Sequence, residues 1–219
     1  MHPYRWHILI AIGALLAVTF VFFGLASKRQ DKVSITKSDT KITQITTPTI
    51  SFVDPQIGSA NPVVTIVEYA DFTCEACKSA STALAQLLSK YPNDVRVVWK
   101  DFPNESKDDQ ATVASVAARC ADEQGAFWQY HDELFLRQAQ LDASAYAIIA
   151  SALELNTTSF TSCMTTNEPL PRVRKAYEEG LALSITATPT LFINGERYIG
   201  AISFDDLEGI VRNAKANLK

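Results

Sequence analysis

Short apolar runs and amphipathic stretches alternate in the first folded part of the chain. Val63–Ala70 and Val95–Trp99 are nearly continuous apolar runs, which are typical of strands buried on both faces of a sheet. Between them, Lys78–Lys90 carries apolar residues at helical spacing. A strand–helix–strand unit of this length forms a right-handed crossover with parallel strands. The sequence therefore predicts two parallel strands joined by a covering helix.

The elements that follow predict a helical insertion and then an antiparallel hairpin. The stretches of helical spacing are Asp108–Glu123, Ala126–Gln138, Ala143–Leu155 and Arg172–Leu183. Thr190–Ile193 and Arg197–Ile199 flank Asn194-Gly195, a dipeptide typical of tight hairpin turns. Phe204–Leu218 predicts a last helix with Ser203 as its N-cap. A parallel pair combined with a hairpin makes a mixed central sheet flanked by helices, so the predicted class is α/β, a thioredoxin fold with an inserted α-helical domain.

The N-terminal stretch 8–26 contains no charged residue and is bracketed by Arg5 and by basic residues just after it. As a helix it would extend roughly 28 Å, which is close to the thickness of a bilayer's hydrocarbon core. It predicts an N-terminal transmembrane anchor or a signal peptide cleaved after Gly24-Leu25-Ala26, and its length favours the anchor.

These patterns divide the chain into parts with different roles. Residues 1–7 form a short flank before the anchor or signal peptide, and 27–57 form a tether rich in Thr, Ser and Lys. The tether cannot bury enough apolar area to fold alone. An alternative is a strand within Lys41–Phe52 that docks on the domain. Residues 58–219 form the folded domain, with the helical insertion at about 105–184.

Composition narrows the class of function. The 219 residues are 47% apolar and 20% charged, with a net charge of −4, which is ordinary for a globular domain. The sequence has no basic patch interleaved with aromatic residues, so nucleic acid is not an expected partner. The four cysteines are too few for a disulfide-scaffolded mini-protein, and their number is compatible with one reactive pair plus a second pair that is either a structural disulfide or two free thiols.

The reactive pair is Cys74-Glu75-Ala76-Cys77, which directly follows the first strand and precedes the first helix. The unpaired amides and positive dipole of a helix N-terminus favour a thiolate, the form that attacks disulfides. We therefore predict thiol–disulfide exchange with Cys74 as nucleophile and Cys77 as resolving thiol. A zinc site is not expected because no second closely spaced Cys or His pair is present. Since the two sulfurs carry the electrons, no bound cofactor is expected either.

Three segments resemble the DsbA-like thioredoxin family of membrane-tethered disulfide oxidoreductases. They are Val67–Cys77, Gly125–Phe135 and Ala187–Gly195, and the resemblance extends over roughly Asp54 to Lys219. It implies cysteine-containing protein substrates and a membrane redox partner of the DsbB or VKOR type. The dipeptide Glu75-Ala76 departs from the Pro-His of the strongest oxidants in that family. Because Ala76 lends no positive charge and Glu75 adds a negative one, we expect a weaker oxidant.

The resemblance also implies roles for residues outside the cysteine pair. Thr188-Pro189 matches the family's cis-proline loop, which sets the Thr188 backbone beside the cysteines and within reach of a substrate strand. Glu68 is an acid in an otherwise apolar strand, which is costly unless it has a role or a partner. In the family this position is a buried acid that assists proton transfer with the resolving cysteine. The alternative is an outward-facing Glu68, and Lys100 is a conceivable partner.

Cys120 and Cys163 lie on different predicted helices of the insertion. Some family members carry a second disulfide there, so the resemblance favours a bond between them, and the alternative is two buried free thiols. Trp128 and His131 are expected to serve packing rather than ligand binding.

The expected activity is that of a disulfide donor to folding proteins, acting as a monomer. A reductase or isomerase that uses the same residues, and a non-catalytic peptide-binding module, are the alternatives. Lysine and arginine are more numerous after the apolar stretch than before it, which by the positive-inside rule favours a cytoplasmic body. Disulfide chemistry and a second cysteine pair favour an oxidising compartment. We therefore expect a single-pass membrane protein whose catalytic domain is extracytoplasmic.

Overall fold

The computed structural model describes residues 45–104 and 109–217. Its strands are β1 (Gln56–Gly58), β2 (Val64–Ala70), β3 (Val95–Asp101), β4 (Thr190–Ile193) and β5 (Glu196–Ile199). Its α-helices are α1 (Glu75–Lys90), α2 (Asp109–Asp122), α3 (Phe127–Leu136), α4 (Ala143–Ala152), α5 (Thr157–Thr166), α6 (Leu170–Ala182) and α7 (Phe204–Ala216). A short 3₁₀ turn at Gln138–Gln140 follows α3.

The strands form one mixed sheet in the order β1-β3-β2-β4-β5. β2 and β3 are parallel and joined by α1, while β4 runs antiparallel to β2 and forms a hairpin with β5. The hairpin turn places Asn194 at φ 49° and Gly195 at φ 90°, the left-handed conformations that this dipeptide tolerates. Helices α2–α6 are inserted between β3 and β4. The predicted α/β thioredoxin fold with a mixed sheet and a helical insertion is confirmed.

Two elements of the structure were not predicted from the sequence. The strand β1 contains three exposed residues and pairs antiparallel with the edge of β3, so it has no hydrophobic pattern of its own. The helix α5 is rich in Thr and Ser, which have low helix propensity. It forms because Asn156 caps its N-terminus and because Phe160 and Cys163 are buried in the core.

The helical insertion packs directly against the loop that carries the cysteine pair. Phe72, two residues before Cys74, is fully buried and stacks on Trp99 of β3 with 4.6 Å between ring centroids. Phe135 of α3 completes this contact at 5.2 Å from the Phe72 ring. The core between sheet and insertion therefore fixes the position of the active-site loop.

Residues 49–57, which fall within the predicted tether, contact the folded domain. The Thr49 amide donates to Glu179 Oε1 at 2.8 Å, and Arg119 Nη1 donates to the Val53 carbonyl at 2.9 Å. Asp54 Oδ2 accepts from the buried Lys100 Nζ at 3.0 Å. This segment leads into β1 and is held by polar contacts, which explains why apolar patterning did not reveal it.

The predicted flank 1–7, the predicted span 8–26 and the first part of the tether lie outside the described residues. Within 45–104 and 109–217, none of the helices is both long and apolar enough to cross a bilayer.

Candidate active site

Cys74 occupies the N-cap of α1, four residues before the predicted start of that helix. Its backbone is extended (φ −89°, ψ 118°), and its Sγ accepts a hydrogen bond from the Cys77 amide at 3.3 Å. The turn before it is organised by Asp71, whose Oδ1 accepts from the Thr73 amide at 2.7 Å. The thiol therefore takes the place of an N-capping oxygen and faces the unpaired amides of the helix N-terminus.

This environment lowers the pKa of Cys74 to about 6. The largest cause is the hydrogen bond from the Cys77 side chain, and hydrogen bonds with Thr188 and from the amides of Cys77 and Ala76 act in the same direction. Partial burial opposes them because it penalises the charged form. Because this pKa is below 7, the thiolate is the populated form of Cys74 at neutral pH. Because Cys74 is only half-buried, a partner sulfur can reach it.

Cys77 has the opposite character. It is fully buried on the inner face of α1, and burial raises its pKa far above the ordinary thiol value. The hydrogen bond to Cys74 and the charge of Glu68 raise it further. Both cysteines are free thiols in this structure. The pair thus consists of one accessible sulfur that readily carries charge and one buried sulfur that holds its proton.

The peptide bond between Thr188 and Pro189 is cis. Thr188 is half-buried, and its carbonyl oxygen lies 3.4 Å from Cys74 Sγ. Pro189 is buried, and its carbonyl accepts from the Gly200 amide at 2.8 Å, which ties the loop to the end of the hairpin. The structure therefore brings Thr188 and Pro189 to the cysteine pair, in the position that the sequence predicted.

Glu68 lies in the middle of β2 and is 1% exposed. It is paired in register with Trp99 on β3 and Leu191 on β4, both of which are buried. Burial, and after it the charge of Cys74, raise the pKa of Glu68 to about 8. Its Oε1 has no hydrogen-bond partner among the described residues. The outward-facing alternative is wrong, because this carboxyl group points into the protein.

The suggestion that Lys100 pairs with Glu68 is also wrong. In the β2–β3 register Lys100 is opposite Tyr69, and adjacent residues of a strand point to opposite faces. The Lys100 ammonium group instead lies 3.0 Å from both Asp54 Oδ2 and Glu179 Oε2. Lys100 therefore belongs to the ion network that anchors the segment before β1.

Gln138 is a site residue that the sequence did not indicate. Its Nε2 donates to the Phe72 carbonyl at 2.8 Å and to the Cys74 carbonyl at 3.0 Å. This side chain therefore links the helical insertion to the active-site loop from both sides of Thr73. A single polar residue at the end of a predicted helix carries no sequence signal for such a contact.

The second cysteine pair forms a disulfide. Cys120 on α2 and Cys163 on α5 are bonded with an S–S distance of 1.98 Å and a Cα–Cα distance of 5.8 Å. Both are buried, so the bond crosslinks two helices within the insertion. As for metals, the described residues contain no group of three or more His, Cys, Asp or Glu side chains arranged to hold an ion.

Comparison with known proteins places this geometry in a family. A family model described as thioredoxin matches residues 51–213. The catalytic domain of ScsC from Proteus mirabilis is 26% identical, with a TM-score of 0.66, over 76% of this chain and 91% of that domain. Oxidised BdbD from Bacillus subtilis has the same fold, with a TM-score of 0.67 and 19% identity over 77% of this chain and 95% of that one.

Sequence relatives include longer proteins. The Na⁺/H⁺ antiporter NhaA 3 of Salinispora tropica is 32% identical over 216 residues, which is 97% of this chain but 33% of that protein. The chain spans about a quarter to a third of the length of the curated relatives it matches. Because the family model covers the sheet, the cysteine pair and the helical insertion together, this chain belongs to the thioredoxin family.

Proposed function

We propose that this protein is an extracytoplasmic thiol:disulfide oxidoreductase that donates the Cys74–Cys77 disulfide to folding proteins. The contrast between the two thiols carries this proposal. Cys74 is half-buried with a pKa near 6, whereas Cys77 is fully buried with a strongly raised pKa. A pair of this kind stabilises the thiolate that leaves when the enzyme is reduced, which is the property that makes a dithiol an oxidant.

The geometry supports a two-step exchange. A substrate thiolate attacks Cys74 Sγ in the oxidised enzyme, the Cys74–Cys77 bond breaks, and Cys77 leaves with the electron pair and takes up a proton. A second substrate thiolate then attacks the substrate sulfur of the mixed disulfide. Cys74 leaves as the thiolate that the helix N-terminus stabilises. The substrate gains a disulfide and the enzyme holds two electrons in its dithiol.

Substrate binding is proposed at the loop of Thr188 and Pro189. An extended polypeptide that lies along this loop would present its cysteine to Cys74, because the Thr188 carbonyl is 3.4 Å from Sγ. Main-chain hydrogen bonding of this kind tolerates many sequences and suits a donor with many substrates.

A partner must reoxidise the dithiol after each cycle. We assign this role to a membrane protein of the DsbB or VKOR type, with the chain held at the membrane through residues 8–26 and its domain on the outer side. Support comes from the apolar sequence of 8–26 and from the Cys120–Cys163 disulfide, since structural disulfides persist mainly in oxidising compartments.

The antiporter relatives do not change this assignment. Ion transport is the activity of relatives that are about three times as long, whereas the described residues of this chain form a thioredoxin fold with its cysteine pair. A reductase or isomerase with the same residues stays the alternative, because the exchange chemistry runs in both directions.

The test is a single-turnover reaction of the oxidised full chain with a two-cysteine peptide, followed by mass spectrometry. We expect the peptide to leave oxidised and the chain to gain two electrons and two protons, which is the mass of two hydrogen atoms. Cys74→Ser should abolish the reaction. In a separate reaction, Cys77→Ser is given the symmetric disulfide of a single-cysteine peptide, and it should accumulate a mixed disulfide at Cys74 with release of one peptide thiolate, because residue 77 cannot resolve the bond. Peptide oxidation that survives Cys74→Ser would refute the proposal.

A further inference from the structure

Three buried polar atoms without a hydrogen-bond partner among the described residues line one cavity. They are Glu68 Oε1, Trp128 Nε1 and His131 Nε2. The cavity, called here the Glu68 cavity, has a volume of about 170 Å³ and is bordered by β2, α1 and α3. Buried polar groups in proteins are normally hydrogen-bonded to protein atoms or to ordered water. A carboxyl, an indole and an imidazole group that line one space therefore point to a polar occupant.

The hydrogen-bonding capacity of the three groups matches a water molecule. His131 Nδ1 lies 2.8 Å from Asp132 Oδ1, so Nδ1–H donates to the carboxylate and Nε2 of the neutral ring is an acceptor. The Trp128 indole is a donor, and a protonated Glu68 carboxyl group is also a donor. One water molecule can accept from Trp128 and Glu68 and donate to His131.

The Glu68 cavity also reaches the protein surface. A water molecule occupies about 30 Å³ in the liquid, so the space holds one or several. Asp132 lines the same cavity, and its side chain is 72% exposed. A chain of hydrogen bonds can therefore run from the buried Glu68 carboxyl group through water and His131 to a carboxylate in solvent.

We infer that water in the Glu68 cavity and the His131–Asp132 pair form a path that carries protons between Glu68 and solvent. The inference rests on the proposed function, because disulfide exchange is what makes the buried Cys77 gain or lose a proton. The charge of Glu68 raises the pKa of Cys77, so the two groups interact electrostatically. Among the described residues, the titratable side chains that line the Glu68 cavity or interact with Glu68 are Cys74, Cys77, His131 and Asp132.

The proton balance follows the first exchange step. When a substrate thiolate displaces Cys77, the leaving thiolate takes the proton of the Glu68 carboxyl group. The Glu68 carboxylate takes a proton from the cavity water, and that water takes the Nε2 proton of a His131 imidazolium. The imidazolium forms when a solvent proton beside Asp132 adds to Nδ1 of a ring that carries its proton on Nε2, and loss of the Nε2 proton leaves the neutral ring protonated on Nδ1. Burial lowers the pKa of His131, and the Asp132 carboxylate opposes this effect by stabilising the imidazolium. In the opposite direction of exchange, every proton moves the opposite way.

A packing role for His131 must be separated from a role in proton transfer. Its ring contacts Trp99 and Phe135 at centroid distances of 5.0 and 4.9 Å within the aromatic core. Loss of activity in any His131 variant is therefore not sufficient evidence. His131→Phe keeps an aromatic ring but removes both nitrogens, and Asp132→Asn changes only an exposed side chain.

The first measurement detects the water directly and does not depend on catalysis. Magnetisation transfer from water to the Trp128 indole proton is recorded by NMR on the reduced full chain. We expect a cross-peak from a bound water molecule in the wild type and its weakening in Glu68→Leu. Absence of water at Trp128 in the wild type would overturn the inference.

The second measurement is the rate of reaction of the oxidised chain with reduced glutathione, in light and heavy water. General acid–base groups contribute strongly to such steps, so we expect His131→Phe and Asp132→Asn to react at least about tenfold more slowly at neutral pH. His131→Ala should regain rate when imidazole is added, because the enlarged cavity admits the missing ring. Asp205→Asn, an exposed carboxylate on α7, is the matched control and should keep the wild-type rate.

The outcomes separate the two proposals. Wild-type rates and isotope effects in both His131→Phe and Asp132→Asn would overturn the path, and so would a slow His131→Ala that imidazole does not restore. A wild-type chain that fails to exchange with glutathione would instead refute the proposed function, while the water measurement still decides whether the Glu68 cavity is hydrated.

Discussion

The carbonyl oxygen of Thr188 lies 3.4 Å from Cys74 Sγ, although the two residues are 114 positions apart in the chain. This contact joins the start of α1 to the loop before β4 and forms a site with two sides. The helix N-terminus supplies donors that stabilise the thiolate, and the loop supplies an acceptor for the thiol. The Cys74 sulfur therefore has hydrogen-bond partners both as a thiolate and as a thiol, the two protonation states that it takes during disulfide exchange.

The Cys77 thiol is the largest stabilising influence on the Cys74 thiolate. Cys77→Ala should therefore raise the pKa of Cys74 from about 6 towards the ordinary thiol value of about 8.5. Cys77→Ser keeps a side-chain donor and should leave the pKa close to that of the wild type. Thiolate absorbance at 240 nm, titrated in the reduced protein, measures the shift. Equal pKa values in the two variants would contradict the assigned cause.

Glu68 should make the stability of the protein depend on pH. Its folded pKa of about 8 lies above the ordinary value of 4.5, so the folded state binds the proton more tightly than the unfolded state. The contribution of the protonated group is fully present below pH 4.5 and is lost as pH rises to 8. Glu68→Gln, which cannot ionise, should therefore be more stable than the wild type at pH 8 by a few kcal/mol.

The measurement is urea unfolding of the reduced protein at pH 5 and pH 8. The advantage of Glu68→Gln should be larger at pH 8 than at pH 5. Glu75→Gln, at an exposed carboxyl group near the same site, is the control and should show little difference. A Glu68→Gln advantage that does not change with pH would mean that Glu68 is not protonated in the folded state.

Gln138 should stabilise the active-site loop. Gln138→Leu removes two hydrogen bonds to the carbonyls of Phe72 and Cys74, and the cost should be about 1–3 kcal/mol of unfolding free energy. Gln138→Glu should be at least as damaging, because a carboxylate cannot donate to either carbonyl. Gln140→Leu, two residues away and exposed, serves as the control. If Gln138→Leu and Gln140→Leu lowered the unfolding free energy by the same amount, this role of Gln138 would be ruled out.

The Cys120–Cys163 disulfide should contribute stability without affecting the reactive pair. The bond closes a loop with a sequence separation of 43 residues. The chain-entropy relation then gives about 4 kcal/mol. Replacing both residues by alanine should lower the unfolding free energy by about this amount and leave the Cys74 titration unchanged. A change in the pKa of Cys74 in this variant would instead show that the Cys120–Cys163 disulfide affects the reactivity of the active site.

The parts of the fold that could be predicted from sequence are those with a strong local pattern. The parallel pair β2–β3 and the Asn194-Gly195 hairpin have such patterns, and their pairing follows from handedness and turn geometry. The strand β1 and the helix α5 do not, because their stability comes from tertiary contacts.

The chemical roles of the site residues were easier to predict from the sequence than the contacts that these residues make in the fold. An acid within an apolar strand indicated the burial of Glu68, yet the face shared by Glu68 and His131 depends on how α3 packs on the sheet. The mistaken pairing of Lys100 has the same origin, since only the strand register shows that it faces away from Glu68. Gln138 hydrogen-bonds to backbone carbonyls, and because every residue has one, the sequence does not indicate which carbonyls it contacts.

The reduction potential of the Cys74–Cys77 couple decides whether the protein donates disulfides or reduces them. The full chain is equilibrated with glutathione buffers, and the redox states of Cys74 and Cys77 are mapped separately from those of Cys120 and Cys163. We predict a potential more oxidising than the glutathione pool, as a disulfide donor requires. A value near the thioredoxin potential of about −270 mV would contradict it and identify the protein as a reductase.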